Sequence, residues 1–245
     1  MSSFSDLRVL YNLTFRPVRG KNHADRLESF YGNQADAYDS FRKRFLTGRE
    51  ELWHKIGVTQ DAVWADMGGG TGFNLQFFGD DIAKLKKVYV VDLASSLLKM
   101  ADDKIKNNHW TNVETVNADA TIWEPAEGLV DVVTFSYSLT MIPDWFTAID
   151  HAYKILKPGG KIGVVDFYIS RKFPTGCKKR HGWLTRSFWP AWFSCDNIYP
   201  SCDHVPYLSR KFQEVEFIER EDPIPYFPIF WWKMPRFVFI GKKPE

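Results

Sequence analysis

A glycine cluster preceded by an acid is the part of the sequence whose residue types most clearly suggest chemistry. Residues 66–72 read Asp-Met-Gly-Gly-Gly-Thr-Gly and directly follow a short apolar run at 62–65. Glycines at the start of a helix let backbone amides approach a ligand, at a terminus that carries partial positive charge. A dinucleotide-binding G-x-G-x-x-G/A pattern needs a small residue at position 73, which is Phe. The pattern therefore argues against a dinucleotide pyrophosphate as the ligand.

Two further acids stand where later strands of the predicted sheet end. Asp92 follows the apolar run at 88–91, and a carboxylate there can accept both ribose hydroxyls of a nucleoside. Asp119 lies in the sequence Asn-Ala-Asp-Ala that follows a third strand. Simpler interpretations remain for each acid: Asp66 and Asp119 could cap helices, and Asp92 could be a solvated residue at a strand end.

Strand and helix patterns alternate through most of the chain. Amphipathic spacing predicts helices within 22–53, and buried runs predict five strands at 62–65, 88–91, 113–116, 130–137 and 161–167. Such alternation is typical of a parallel sheet covered by helices on both faces. Two further strands at 212–219 and 237–241, paired as a hairpin, would place one antiparallel strand in this sheet.

The G-x-G-x-G pattern with an acid two residues ahead resembles motif I of class I S-adenosylmethionine methyltransferases. Asp92, Asp119 and the Leu-Lys-Pro-Gly-Gly sequence at 156–160 follow in the order of that family's ribose-binding acid, adenine-contacting acid and turn before strand five. The resemblance spans about 61–167. It implies a Rossmann-like α/β fold with a seven-stranded, mostly parallel sheet, an antiparallel seventh strand, helices on both faces, and S-adenosylmethionine as the cofactor.

The resemblance also implies a domain organisation and a set of contacts. An N-terminal helical cap is expected at 1–60, and a methyltransferase core at 61–245 with a basic, aromatic insertion on the acceptor side at about 168–210. Aromatic residues on the cap helices could instead belong to the core. The implied cofactor contacts are Tyr31, Tyr38, Thr47, Asp66, Gly68, Gly70, Gly72, Asp92, Leu93, Asp119, Ala120 and Ser136.

Methyl transfer to an amine needs a free lone pair, so the acceptor must first lose a proton to water or to a weak base. Tyr137, at the end of the fourth strand, is the candidate catalytic residue. His151 and His204 are less favoured, and His151 falls on a helix where a structural role is expected.

The insertion concentrates positive charge that the overall composition hides. The chain has 32 Lys and Arg against 30 Asp and Glu, yet residues 167–195 hold six cations and no carboxylate. Cations between aromatic residues suit a membrane surface, where they meet anionic head groups. Alternatively, the aromatic residues pack a second small core. Nucleic acid is not expected, because the rest of the chain is net acidic. The candidate substrate or membrane contacts are Lys178, Lys179, Arg180, Trp183, Trp189 and Trp192.

Cysteine usage and hydropathy predict a cytoplasmic protein without a metal or a membrane span. The three cysteines have neither a disulfide framework nor the spacing of zinc ligands. No signal-peptide pattern opens the sequence. The longest apolar run, 224–232, has nine residues and two prolines, whereas a spanning helix needs about 20.

Several residue runs resemble the methyltransferase part of betaine-lipid synthases. The runs are Phe-Tyr at 30–31, Ala-Tyr-Asp at 37–39, and the sequences at 45–50, 64–72 and 137–145. This resemblance implies three successive amine methylations that convert diacylglyceryl-homoserine to diacylglyceryl-N,N,N-trimethylhomoserine. It also implies a lipid substrate, a peripheral position on the cytosolic face of a membrane (the endoplasmic reticulum in a eukaryote), and a fused or separate 3-amino-3-carboxypropyl transferase as partner.

Two other functions remain open. A soluble methyltransferase that acts on a small molecule, such as a quinone precursor or phosphoethanolamine, is the main alternative. A cofactor-binding module without enzymatic activity is the third, less favoured because the glycine motif and both strand-end acids are intact.

Overall fold

Seven strands form a single sheet, and the loops that form the candidate site lie at one edge of this sheet. The computed structural model describes residues 20, 23–31, 45–175, 178–195, 197–223 and 233–245. The strands are β1 Val63–Met67, β2 Lys87–Asp92, β3 Val113–Asn117, β4 Val130–Ser136, β5 Leu156–Phe167, β6 Gln213–Pro223 and β7 Lys233–Lys242. Their order in the sheet is β3-β2-β1-β4-β5-β7-β6.

Helices join most of these strands. They are α1 His23–Tyr31, α2 Arg49–Ile56, α3 Ser95–Asn107, α4 Trp145–Ile155, α5 Trp183–Ser194 and α6 His204–Lys211. A 3₁₀ segment, Phe73–Lys84, follows β1 and is interrupted at Gly79, whose backbone is not helical. In the described parts of the chain, no helix is both long and apolar enough to cross a bilayer.

The strand directions confirm the predicted mostly parallel sheet. Strands β3, β2, β1, β4 and β5 pair in parallel. Strand β7 lies between β5 and β6 and is antiparallel to both. The carboxyl ends of β1, β2, β3 and β4 therefore meet at one edge, which is where ligands bind in open α/β sheets.

The core lies on both faces of the sheet because the central strands are buried on both sides. All five residues of β1 are buried, as expected for a strand within a parallel sheet. Trp64 packs on one face with Leu52 and Ile56 of α2. Val63 and Met67 pack on the other face, with α4 and α6.

Several predicted strand bounds differ from the structure, and both strands of the final hairpin are longer than predicted, since β6 ends at Pro223 and β7 begins at Lys233. Strand β5 begins at Leu156 rather than at residue 161, because Leu156 pairs with Val130 and the Gly160 carbonyl accepts a hydrogen bond from the Lys243 amide. The predicted Lys-Pro-Gly-Gly turn is thus an irregularity within the strand. Strand β4 ends at Ser136, one residue earlier than predicted, because Tyr137 has a left-handed backbone conformation with φ 55°.

A glycine in β5 lets α2 lie close to the sheet, and this contact gives a first prediction. A Cβ atom added at Gly163 would approach the Ile56 Cδ1 atom to 2.3 Å. We expect Gly163→Ala to lower the free energy of unfolding by about 1–3 kcal/mol through overpacking. Ile56→Val removes the clashing methyl group, so the double variant should be more stable than the sum of the two single effects predicts. Additive effects in urea denaturation would contradict this packing.

Candidate active site

The glycine loop after β1 is held against the end of β2 by backbone hydrogen bonds. The amides of Gly68 and Gly69 donate to the Val91 carbonyl at 2.7 and 3.1 Å. Gly68 has a φ of 69°, and a Cβ there would lie 2.4 Å from the Ser138 Cβ. A side chain at position 68 is thus excluded both by the backbone conformation and by the loop that follows β4.

Asp92 connects the glycine loop to the start of α3. Its Oδ2 accepts a hydrogen bond from the Gly70 amide at 2.9 Å, and its Oδ1 accepts one from the Ala94 amide at 2.8 Å. An ionised carboxylate has about four acceptor positions, so it can receive these amides and ligand hydroxyls together. The side chain is half-buried and lines the cavity described below.

Asp66 lies beneath the glycine loop, where its carboxylate is enclosed. Its oxygens accept hydrogen bonds from Asn74 Nδ2 at 2.9 Å and from Thr134 Oγ1 at 2.8 Å. Burial raises the pKa of Asp66 from its ordinary value of 3.8 to about 6, because desolvation of the charged form outweighs these hydrogen bonds. This carboxyl group supports the loop from below.

Tyr137, the residue after β4, connects this strand to residues 45–48, which precede α2. The Tyr137 hydroxyl donates to the Thr47 carbonyl at 2.6 Å, and the Thr47 hydroxyl donates to Asp222 Oδ2 at 2.7 Å. Burial raises the pKa of the Tyr137 phenol above its usual range, so the phenol is neutral at ordinary pH. A left-handed backbone at a bulky, non-glycine residue is strained, and such strain clusters at functional sites.

Asp119 follows β3 and shapes a turn at the third strand end. Its Oδ1 accepts hydrogen bonds from both the amide and the hydroxyl of Thr121, at 2.8 and 2.7 Å. These bonds fix the carboxylate on the same sheet edge as Asp92.

A largely apolar cavity of about 230 Å³ lies between these strand ends. Its walls come from α1, the ends of β1 to β4 and the loop between β4 and α4. The lining residues are Leu27, Gly68, Gly70, Val91, Asp92, Leu93, Leu97, Ala118, Asp119, Ala120, Thr121, Tyr137, Ser138, Met141, Ile142, Pro143 and Asp144.

Most of the predicted contacts converge on this cavity. Seven residues singled out from the sequence line it: Gly68, Gly70, Asp92, Leu93, Asp119, Ala120 and Tyr137. Asp66, Gly72 and Ser136 lie within two residues of lining residues in the chain without lining the cavity themselves, and the Thr47 hydroxyl donates to Asp222. Tyr38 and the side chain of Tyr31 lie outside the described residues.

The predicted contacts in the insertion lie away from this cavity and differ from one another. Trp189 is buried in the core, and Trp183 is exposed. Lys178 pairs with Glu214 at 3.0 Å and Lys179 with Glu221 at 2.6 Å, whereas the Arg180 guanidinium stacks over Phe173. Part of the insertion's charge is thus compensated by acids of β6.

Sequence reasoning missed the residues that form the cavity's apolar wall. Met141, Ile142 and Pro143 lie on the loop after β4, and Leu27 reaches the cavity from α1. The position of this loop could have been predicted from the sequence, because the loop follows the end of a parallel strand beside the glycine loop. The position of Leu27 could not have been predicted, because it depends on packing against Ala94 and Leu97.

The sheet order and the cavity at the strand ends have the arrangement of the class I methyltransferase fold. A model of the ubiE/COQ5 methyltransferase family matches residues 20–183, and the chain belongs to this family.

Curated relatives agree with this assignment. The ubiquinone/menaquinone biosynthesis C-methyltransferase UbiE of Escherichia coli (strain K12 / DH10B) is 30% identical over 159 residues, which cover 62% of this chain and 63% of that protein. UbiE of Klebsiella pneumoniae gives the same values. The chain thus spans slightly less than two thirds of the length of these relatives.

Solved structures share the fold at low sequence identity. Phosphoethanolamine N-methyltransferase 2 of Haemonchus contortus, in complex with S-adenosyl-L-methionine, has a TM-score of 0.69 at 16% identity and covers 94% of this chain and 61% of that chain. The N-methyltransferase NodS of Bradyrhizobium japonicum has a TM-score of 0.56 at 17% identity and covers 86% of this chain and 99% of that chain. At such identities the similarity shows the fold alone.

The raised pKa of Asp66 gives a prediction about stability and pH. Between the ordinary pKa of 3.8 and about 6, the folded protein keeps a proton that the unfolded chain has lost. The free energy of unfolding must therefore fall as pH rises through this window, by up to about 3 kcal/mol from this group. Asp66→Asn does not titrate, so its stability relative to the wild type should rise by that amount across the window.

Urea denaturation below and above the window measures this difference. Asp103→Asn, at an exposed position of α3, is the matched control for the loss of a carboxyl group. A stability difference between Asp66→Asn and the wild type that stays constant with pH would contradict the assignment.

Proposed function

We propose that the cavity between Asp92, Asp119 and Tyr137 holds S-adenosylmethionine, and that the chain transfers the methyl group of this donor to an acceptor bound beside the cavity. One observation carries this proposal. Two carboxylates and a glycine loop stand at the ends of neighbouring parallel strands around a single apolar cavity. Such an arrangement suits a nucleoside that carries polar groups at both ends.

The carboxylates, apolar side chains and backbone amides around the cavity are groups that can bind S-adenosylmethionine. Asp92 would accept the ribose hydroxyls, and Asp119 would accept from the adenine amino group, with Leu93 and Ala120 as apolar neighbours of the base. Gly68 and the neighbouring loop would face the amino acid portion. When bound, the donor supplies a methyl group already activated by its sulfonium charge.

The residues of the chain must then position the acceptor relative to the methyl group of the donor. A nucleophile must lie about 3–3.5 Å from the carbon it attacks, in line with the leaving group. Tyr137 is proposed to act as a positioning residue, because its neutral phenol donates a hydrogen bond to the Thr47 carbonyl and so fixes residues 45–48, which precede α2. Neither His151 nor His204 lines the cavity, and both are buried.

One candidate acceptor is a quinone precursor methylated on carbon. Family membership and the similarity to UbiE proteins support this class. The fold shared with a phosphoethanolamine N-methyltransferase is equally compatible with a small amine acceptor.

A second candidate is the head group of diacylglyceryl-homoserine, methylated three times on nitrogen. The residue runs at 45–50, 64–72 and 137–145 support it. Exposed apolar side chains in the insertion, Phe173, Trp183 and Leu184, would suit a peripheral position on a membrane surface. A fused or separate 3-amino-3-carboxypropyl transferase would then supply the lipid.

Donor binding is predicted to depend on Asp92. We expect Asp92→Ala to raise the dissociation constant for S-adenosylmethionine by roughly 10- to 100-fold, because hydrogen bonds to a charged group contribute about 1.5–3 kcal/mol. Asp92→Asn keeps one acceptor oxygen and should fall between Asp92→Ala and the wild type. Isothermal titration calorimetry measures all three, with the exposed Asp103→Ala as the control. Unchanged affinity in Asp92→Ala would contradict the proposed donor site.

The acceptor class is tested with isotopically labelled donor and mass spectrometry. The panel holds a demethylated quinone precursor, phosphoethanolamine, and diacylglyceryl-homoserine in vesicles. We expect labelled product from one of these acceptors, with mono-, di- and trimethylated species if the acceptor is the lipid amine and a single added methyl if it is a ring carbon. The absence of labelled product from every acceptor, in a protein that binds the donor, would contradict the proposed function.

A further inference from the structure

A second cleft adjoins the proposed donor cavity. It lies between α5, the loop from β4 to α4 and the loop from α5 to α6, and it contains Arg186. Ile142 and Pro143 line both spaces, so the two are neighbours across one short loop. The Tyr199 amide donates to the Thr140 carbonyl at 2.8 Å, which ties together the two loops that form the cleft.

Arg186 differs from the other cations of the insertion in having no partner among the described residues. Its Nε is enclosed and makes no hydrogen bond, and its guanidinium forms no ion pair with a described acid. In contrast, Arg171 pairs with Asp203 at 2.6 Å, and Lys178 pairs with Glu214 at 3.0 Å. A guanidinium that lines a cleft without an acid partner can gain charge-assisted hydrogen bonds from an anionic ligand, each of about 1.5–3 kcal/mol.

Most residues that line the cleft are apolar or aromatic, the uncharged polar ones are Thr140 and Ser201, and its described lining residues include no carboxylate. Trp145 and Tyr199 contribute rings, and Pro190 stands one turn after Arg186 on α5. The exposed Trp183 lies three residues before Arg186 and thus on the same side of the helix. A single cation surrounded by apolar surface fits a molecule that combines an anionic group with an apolar portion.

We infer that this cleft binds the acceptor through its anionic group, a carboxylate or phosphate, and that Arg186 is the residue that pairs with it. This inference rests on the proposed methyl transfer, since the cleft opens beside the donor cavity. A guanidinium forms two parallel hydrogen bonds to a carboxylate or phosphate, which fixes orientation as well as position. Anchoring the anion at Arg186 would hold the acceptor next to the donor cavity, because Ile142 and Pro143 line both spaces.

Binding without turnover tests the inference. Short-chain diacylglyceryl-homoserine, its methyl ester and phosphoethanolamine are titrated calorimetrically into the full chain saturated with S-adenosylhomocysteine. The ester removes the anion while keeping the apolar portion, and phosphoethanolamine supplies a phosphate instead of a carboxylate. The variants are Arg186→Gln, the conservative Arg186→Lys, and Arg210→Gln as an exposed control on α6 that lines neither space.

We expect Arg186→Gln to weaken binding of at least one anionic probe by roughly 10- to 100-fold, the loss of hydrogen bonds to a charged group. Arg186→Lys should recover part of that affinity, and Arg210→Gln should bind as the wild type does. The methyl ester should bind weakly and equally to all variants. Which anionic probe responds to Arg186→Gln identifies a carboxylate or a phosphate as the group bound.

Equal binding of the anionic probes by Arg186→Gln and wild type, with donor affinity and thermal stability unchanged, would overturn the inference. So would equal affinity of the wild type for the homoserine lipid and its ester, together with no binding of phosphoethanolamine. A protein that binds an anionic probe through Arg186 but methylates no acceptor contradicts the proposed function instead. The two failures are therefore distinct.

Discussion

The hydrogen bond from the Gly70 amide to the Asp92 carboxylate is the contact on which the rest of the site depends. Because β1 and β2 are parallel neighbours, their carboxyl ends lie side by side, and this bond fixes the loop of one strand to the terminal acid of the next. The same carboxylate receives the Ala94 amide at the start of α3. One side chain thus sets the position of the glycine loop and of a helix, and the cavity lies between them.

Features that depend on sequence-local patterns could be predicted. Buried strands were recognisable as short apolar runs, and an acid or a glycine cluster directly after such a run must lie at the sheet edge. Gly70, Asp92 and Asp119 were therefore predicted to meet, and they do line one cavity. The reversed last strand followed from a hairpin pattern at the end of the chain.

Features that depend on contacts between distant segments could not be predicted. The six cations of the insertion look alike in the sequence, yet β6 supplies acids to Lys178 and Lys179 and none of the described acids pairs with Arg186. Likewise, Trp189 and Trp183 lie on one short helix with opposite degrees of burial, because only one side of α5 faces the core. Trp189 thus belongs to the main core of the protein, and Trp183 is exposed on the same helix.

The position of β7 has a consequence for how the protein is made. Strand β7 leaves the ribosome after β5 and β6, yet it lies between them in the finished sheet. Until it is synthesised, β5 has an unpaired edge, and unpaired strand edges invite association with other chains. Domains fold during synthesis as their segments emerge, but this half of the sheet can close only after β7 has emerged. The nascent chain therefore passes through a stage in which β5 and β6 are both made and the strand that lies between them is still missing.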